Sequence, residues 1–407
     1  MSNQVEETTM ELEPLSSPEH DPMLGLTEAH HELRARVDAF ATEHLDPVIA
    51  ECEAEERFPR EVLAKFGETG MLGGTIPTEH GGSGMDNISL CAMVEELGRR
   101  SQVFAGMVGG MSTVFGAGLL RYGTDEQRAR YLRPFARGES LGAFALTEAR
   151  SGSDAAGMET AARKVDGGWV LDGSKAWIDF SAVADWFLVF AQVDPEQGRG
   201  GISAFVVERG TDGFTTSEYK NKLGWRLGSV GGLELDNCRL PDSALVGEPG
   251  KGYEIAMYSV GYGRLQVGAR LTGGIRACLD ASREHARARR IFDKPIAELQ
   301  LIQTKIVDMG IALDTGRYLT YRFARMLDEG QIARREGSMA KLVTAEALMQ
   351  VAHDAVQIHG AHGIGEDSVA GRMFRDAKVS EIVEGSNEVQ RTLIAEYELG
   401  IRRPKKR

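Results

Sequence analysis

From about residue 26 to 142, apolar residues recur three and four positions apart, as in TEAHHELRARVDAFATEHLDPVIAECEAE, and this spacing predicts helices opening on a Thr27 cap. PREVLAKFGETG reads as a short helix stopped by glycine, GGTIPTEHGGSGMD as a loop, and NISLCAMVEELGRRS as a return to helix. Near residue 143 the period changes. Segments such as GAFALTE, WVLDGSKAWID, ADWFLVFAQVD, ISAFVVERG and GLELDNCRLP are short, partly alternating and bounded by glycine or aspartate, which predicts antiparallel strands. From Lys251 onward helical spacing returns, first in one long segment and then over 296–328, 337–358 and 370–398. Four regions follow: a disordered leader over 1–22, an N-terminal helical domain over 23–142, a middle β domain over 143–250, and a C-terminal helical domain over 251–407.

Composition narrows the partners. With 42% apolar and 26% charged residues the chain can build a sizeable core. A formal net charge of -13 argues against a broad nucleic-acid or anionic-membrane surface, and the basic end RRPKKR reads as a solvated tail. The first 23 residues are acidic and polar, unlike a signal peptide or presequence. No run is expected to reach the roughly 18 apolar residues of a membrane span. Cys52, Cys91, Cys238 and Cys278 lack paired spacing, which suits a reducing cytoplasm and no disulfide framework.

Several catalytic motifs are missing or incomplete. No GxGxxG follows a strand, and no G-x-S-x-G elbow offers a nucleophile. EPGKGYE lacks the first glycine of a P-loop at the right offset and carries Gly252 where a hydroxyl should hold Mg²⁺. His359 and His362 have no acidic or cysteine partners close in sequence, so no metal site is signalled.

Three stretches ask for more than packing. ALTEARSGSD sets hydroxyls and small residues at a strand exit, where ligand atoms can approach backbone N–H groups. GSKAWI ends a strand with Trp177, able to lie against a planar ring, and RARRIF ends a helix with positive charge suited to phosphate. Taken singly, each also reads as a turn, a core tryptophan or a solvated helix end. In EIVEGSNEVQR, Glu384 stands directly before Gly385, either as a base aimed into a cavity or as a solvated residue at a helix start.

Taken together, RYGTDEQRARYLRPFARGE, FALTEARSGSD, LDGSKAWI, GRLQVGARLTGG, RARRIFDKPIAELQ, VQIHGAHGIG, FRDAK and IVEGSNEVQR resemble the acyl-CoA dehydrogenase family, in the family's order. The resemblance implies an α+β fold: N-terminal helical domain, middle antiparallel β-barrel-like domain and C-terminal four-helix bundle. It implies FAD held between subunits of a homo-oligomer, a dimer at minimum and usually a tetramer. Phe144, Leu146, Thr147, Ser153, Trp177 and Ile178 then line the flavin of their own subunit, with Asp179 near its N5 and pyrimidine edge. Arg289, Phe292, Gln300, Gln357, Gly360 and Ala361 reach a neighbouring subunit's FAD, and Ser386 and Glu388 flank the flavin. Ser153, Arg264 and Gly385 fall at the substrate.

By the same resemblance Glu384 is the catalytic base, because the rival position before Arg264 offers Gly261 and Gly263 rather than a carboxylate. Glu384 would remove the α-proton of an acyl thioester while flavin N5 takes the β-hydride, with an electron-transferring flavoprotein or other acceptor reoxidising the cofactor. Departures are Asp179 for a hydroxyl residue, Asp293 for glycine, Ala149–Arg150 for proline and a small residue, Val383 for an aromatic, and His359 for an apolar residue. Arg150, the polar GYGR stretch and the small residues of FAGMVGGMSTVFGAG point away from a plain long fatty acyl chain. Acyl-CoA is the first expectation. An acyl or aminoacyl group on a carrier protein is the alternative, followed by a flavin-dependent monooxygenase of the same fold.

Overall fold

The structure, a computed structural model, describes residues 24–401, so the leader and the basic tail lie outside the described residues. Eight helices come first: α1 (Glu28–Phe40), α2 (Asp46–Glu55), α3 (Arg60–Glu68), α4 (Asn87–Arg100), α5 (Gln102–Gly110), α6 (Ala117–Tyr122), α7 (Asp125–Gln127) and α8 (Arg133–Ala136). Thr27 does stand at the first N-cap, its N–H donating to His30 Nδ1 at 2.9 Å. Eight strands follow: β1 (Gly142–Ala145), β2 (Ala161–Val165), β3 (Gly168–Asp179), β4 (Trp186–Gln192), β5 (Ile202–Glu208), β6 (Phe214–Thr216), β7 (Val230–Pro241) and β8 (Leu245–Val246). The rest holds α9 (Gly252–Ala288), the hairpin β9 (Arg290–Ile291) and β10 (Lys294–Pro295), α10 (Gln300–Asp328), α11 (Arg334–His359), α12 (Ala361–Ile364), α13 (Val369–Ser380) and α14 (Asn387–Glu398).

Four expectations need correction. The middle sheet is not closed: its order β6-β7-β3-β2-β4-β5-β8 ends in two free edges. Nor is it purely antiparallel, because β1 lies parallel along β4 from Gly142↔Trp186 to Ala145↔Val189. The single helix expected over 370–398 is two, α13 and α14, broken where Glu384 and Gly385 take φ values of 53° and 89°. Finally, Gln102–Tyr122 is continuously helical and apolar enough to cross a membrane, contrary to the expectation that no such run exists. Most of that segment is buried inside the protein, which accounts for its apolarity without a bilayer.

The N-terminal helices, the sheet and the first part of α9 share one core, while α9, α10, α11 and α13 enclose a second. Charge ties the two helical blocks together. Glu95 of α4, fully buried, accepts from Arg317 Nε at 3.0 Å and from Tyr321 Oη at 3.0 Å, both on α10. Burial alone would raise the Glu95 carboxyl, but Arg317 and Arg34 outweigh it and bring it down to about 2.

Candidate active site

The break between α13 and α14 is built by its own residues. Gly385 takes φ 89°, a left-handed backbone that favours glycine, and a Cβ there would also lie 2.6 Å from Gln390 Nε2. Gln390, one turn into α14, donates from that amide to the carbonyls of Glu384 at 3.1 Å and Gly385 at 2.8 Å. Ser386 caps α14, its hydroxyl receiving the Val389 N–H at 3.5 Å, and Asn387 N–H reaches back to the Glu381 carbonyl at 2.9 Å. The left-handed backbone of Glu384, which costs a non-glycine residue about 1–2 kcal/mol, turns its side chain toward α9.

There the carboxylate meets a helix face carrying Gly263, Gln266 and Arg270 at i, i+3 and i+7. Gln266 Nε2 donates to Glu384 Oε1 at 2.8 Å. Glu384 Oε2 is buried without a hydrogen-bond partner, and a Cβ at Gly263 would come within 2.5 Å of it. Glu384 is half-buried by surface yet closely surrounded by protein. Burial pushes its carboxyl up to about 7, against the opposing pull of Arg270, the Gln266 amide, Arg264 and Lys341.

Behind this pair lies a cationic network. Arg270, 1% exposed, donates to Gln102 Oε1 at 3.2 Å and Ser380 Oγ at 3.0 Å, and stands 4.8 Å over the Trp225 ring. Trp225 Nε1 donates to Asp179 Oδ1 at 3.2 Å, and its backbone N–H donates to Asp376 Oδ1 at 2.6 Å. Asp179 is exposed by surface, yet the protein around it desolvates its carboxyl and raises it to about 6 against the pull of the Trp225 N–H. Desolvation likewise brings the buried Lys341 ammonium down to about 8, and it donates to Asn387 Oδ1 at 2.8 Å. Arg264 Nη1 donates to Ser338 Oγ at 3.1 Å.

Further predicted residues lie on β1 and just after it. Phe144 on β1 packs 4.9 Å from Phe190, and Leu146 and Thr147 follow the strand, half-buried. A buried ion pair fixes that exit: Lys175 Nζ lies 2.8 Å from Glu148 Oε1 and donates to the Leu146 carbonyl at 3.2 Å. Between Lys175 and Ile178 the β3–β7 register shifts, and Trp177 emerges at φ 58° with 64% of its surface exposed. Ile178 turns into the core, and Ser153 stands in the exposed loop after β1.

The remaining sequence-derived residues gather elsewhere. Arg289, Phe292, Gln300, Gln357, Gly360 and Ala361 are all exposed, and the rings of His285 and His359, 4.5 Å apart, join the ends of α9 and α11 there. Arg289 follows Gln266 by 23 residues, about 35 Å of helix at 1.5 Å per residue. The two groups of residues therefore lie well apart within one chain. Arg150 is exposed beside Glu159, 3.8 Å away, and Glu388 is exposed in the first turn of α14. Sequence reasoning did not pick out Gln266, Arg270, Trp225, Lys341 or Gln390. The available signal was a glutamine and an arginine on a helix face otherwise suited to burial.

Three family descriptions match the chain in order: the acyl-CoA dehydrogenase N-terminal domain over 27–139, the middle domain over 143–238 and the C-terminal domain over 250–399. The chain belongs to the acyl-CoA dehydrogenase family. It is 37% identical to the rat (Rattus norvegicus) mitochondrial short-chain specific acyl-CoA dehydrogenase, over 91% of this chain and 90% of that protein. Among solved structures, butyryl-CoA dehydrogenase from Megasphaera elsdenii superposes with TM-score 0.89 at 32% identity, covering 92% of this chain and 99% of the other. The prolyl acyl carrier protein oxidase AnaB superposes with TM-score 0.87 at 30% identity, covering 92% and 98%. Acyl-CoA dehydrogenases are FAD-binding oxidoreductases acting on CH–CH donors, and this chain is one of them. Its residues fit the cofactor: Trp177, 64% exposed at a strand bulge and set edge-on to Tyr219 at 4.9 Å, offers an aromatic surface to a planar ring.

Proposed function

We propose that this chain desaturates a short acyl thioester, an acyl-CoA in the first instance, between Cα and Cβ, with Glu384 as the base that removes the α-proton. One observation carries the reading. The Glu384 carboxylate, held against α9 by the Gln266 amide at 2.8 Å, has been lifted by burial to about 7, the range a general base needs at neutral pH. Oε1 is occupied by Gln266, which leaves Oε2, without a partner, as the oxygen to receive the proton. Bound FAD supplies the acceptor for the β-hydride. Phe144, Leu146, Thr147, Ser153, Trp177, Ile178 and Asp179 would hold its ring within one subunit, with Ser386 and Glu388 beside it and Arg264 and Gly385 toward the substrate.

In this reading Arg289, Phe292, Gln300, Gln357, Gly360 and Ala361 serve a second subunit's FAD. Arg289, about 35 Å along α9 from Gln266, lies too far to reach its own subunit's base. Exposed Val307, Ile311 and Tyr318 share one face of α10, and Phe292 is 90% exposed, which supports a homo-oligomer. An electron-transferring flavoprotein or comparable acceptor completes the cycle. Four buried free thiols suit a reducing, cytoplasmic setting. The polar face of Gln266 and Arg270, with the likeness to AnaB, supports a second reading in which the acyl or aminoacyl group arrives on a carrier protein. Anaerobic mixing with short acyl-CoAs and with acyl- and aminoacyl-carrier proteins separates the two by which thioester bleaches the flavin. If none bleaches it while reductant and O₂ turn over a substrate, a monooxygenase replaces both.

A further inference from the structure

Beside Glu384, α5 and α9 pack in close contact. A Cβ at Gly109 would lie 2.6 Å from Gln266 Cβ, and one at Gly106 would lie 2.9 Å from the Trp225 ring and 3.4 Å from Arg270 Cδ. These two glycines let α5 close onto the polar face of α9 instead of leaving a hydrocarbon channel. Gln266 is only 3% exposed and its amide is bonded to Glu384 Oε1. On the other side the carboxylate is walled by Gly263, whose added Cβ would also lie 2.7 Å from Val114 Cγ2.

We propose that Gln266 is a specificity-determining residue: it plugs the acyl site beside the base and restricts the enzyme to short acyl groups. The inference rests on the reading of Glu384 as the base. Each methylene beyond a short chain would have to displace a buried amide that is hydrogen-bonded to the base and packed against Gly109. That penalty falls on chain length, whatever carries the thioester. The same residue touches the base, so a bare loss of activity on mutation would not distinguish a plug from a partner of Glu384. A ratio of two chain lengths measured within one variant does, because the state of the base is common to both.

The test uses the FAD-loaded enzyme under anaerobic conditions with butyryl-CoA and octanoyl-CoA. It reads flavin bleaching rates and, by calorimetry, the dissociation constants of the corresponding 2-enoyl-CoAs. The wild type is expected to favour the four-carbon thioester by more than about tenfold, since a single excess methylene in a tight pocket already costs about 10–200-fold. Gln266→Leu keeps the bulk and should keep that ratio. Gln266→Ala opens a gap and should lower the ratio by about tenfold or more in both rate and binding. Equal handling of both chain lengths by the wild type, or an unchanged ratio in Gln266→Ala, overturns the proposal. The wild-type ratio decides alone if the truncated variant does not fold. Failure of every thioester to bind or bleach instead overturns the dehydrogenase reading, and the plug with it.

Discussion

Replacing Gln266 by leucine separates the hydrogen bond to the base from the volume of the side chain. The 2.8 Å contact from Gln266 Nε2 stabilises the ionised form of Glu384, opposing the burial that raises its carboxyl to about 7. A hydrogen bond to a charged group contributes about 1.5–3 kcal/mol. At 1.36 kcal/mol for each tenfold change in proton affinity, losing it moves the ionisation midpoint up by about one to two pH units. The pH dependence of anaerobic flavin reduction by butyryl-CoA, at subsaturating substrate, reads that midpoint in the free enzyme. For the wild type the rising limb should centre near 7, above the ordinary glutamate range, because the deprotonated form does the work. For Gln266→Leu it should shift upward while the plateau at high pH keeps most of its height. A wild-type limb near 4–5 would mean that burial does not control the base, and an unmoved limb in the variant would mean that Gln266 does not bond its ionised form.

Lys175→Met strands the Glu148 carboxylate, buried 2.8 Å from the lost ammonium, and should cost about 3–5 kcal/mol in urea unfolding. The same change loosens the Leu146 carbonyl, so FAD should wash out more readily on dialysis. Asp293→Gly relieves a two-residue turn whose Phe292 and Asp293 have φ values of 49° and 63°, and should raise stability by about 0.5–1 kcal/mol in the same assay. Because the folded state raises the Glu384 carboxyl to about 7, wild-type stability contributed by this group is full below the ordinary glutamate range and is lost as pH rises through 7. Melting of Glu384→Gln should therefore gain on the wild type as pH increases from 4.5 to 8, and a difference that shrinks over that range contradicts the assignment.

The partition into helices, strands and helices was legible because periodicity is local: the change near residue 143 and the return near Lys251 mark the ends of the sheet almost where β1 begins and α9 starts. The proposal of Glu384 as base came from the resemblance, since a carboxylate before a glycine also describes a solvated helix start; what the sequence pattern alone did not show is that its side chain turns back onto α9. What local pattern could not show was which faces meet. Gln266 and Arg270 read as polar interruptions of an apolar helix until α5 closes on them through Gly106 and Gly109. Trp225 and Asp376 lie 151 residues apart in sequence, and nothing in either segment announces their hydrogen bond. The parallel pairing of β1 with β4 escaped for the same reason, because strand order is a long-range property while alternation is a short-range one. Asp179 stood out as a departure, but its partner Trp225 did not.

Anaerobic reduction of the bound flavin by a short saturated acyl thioester, compared between the wild type and Glu384→Gln, tests the central claim most directly. Glutamine keeps the shape of the side chain but cannot take the α-proton. The wild type should bleach, and the variant, with FAD bound in equal amount, should bleach slower by about 10²–10⁴-fold or more. Near-normal bleaching by Glu384→Gln would remove Glu384 from the role of base.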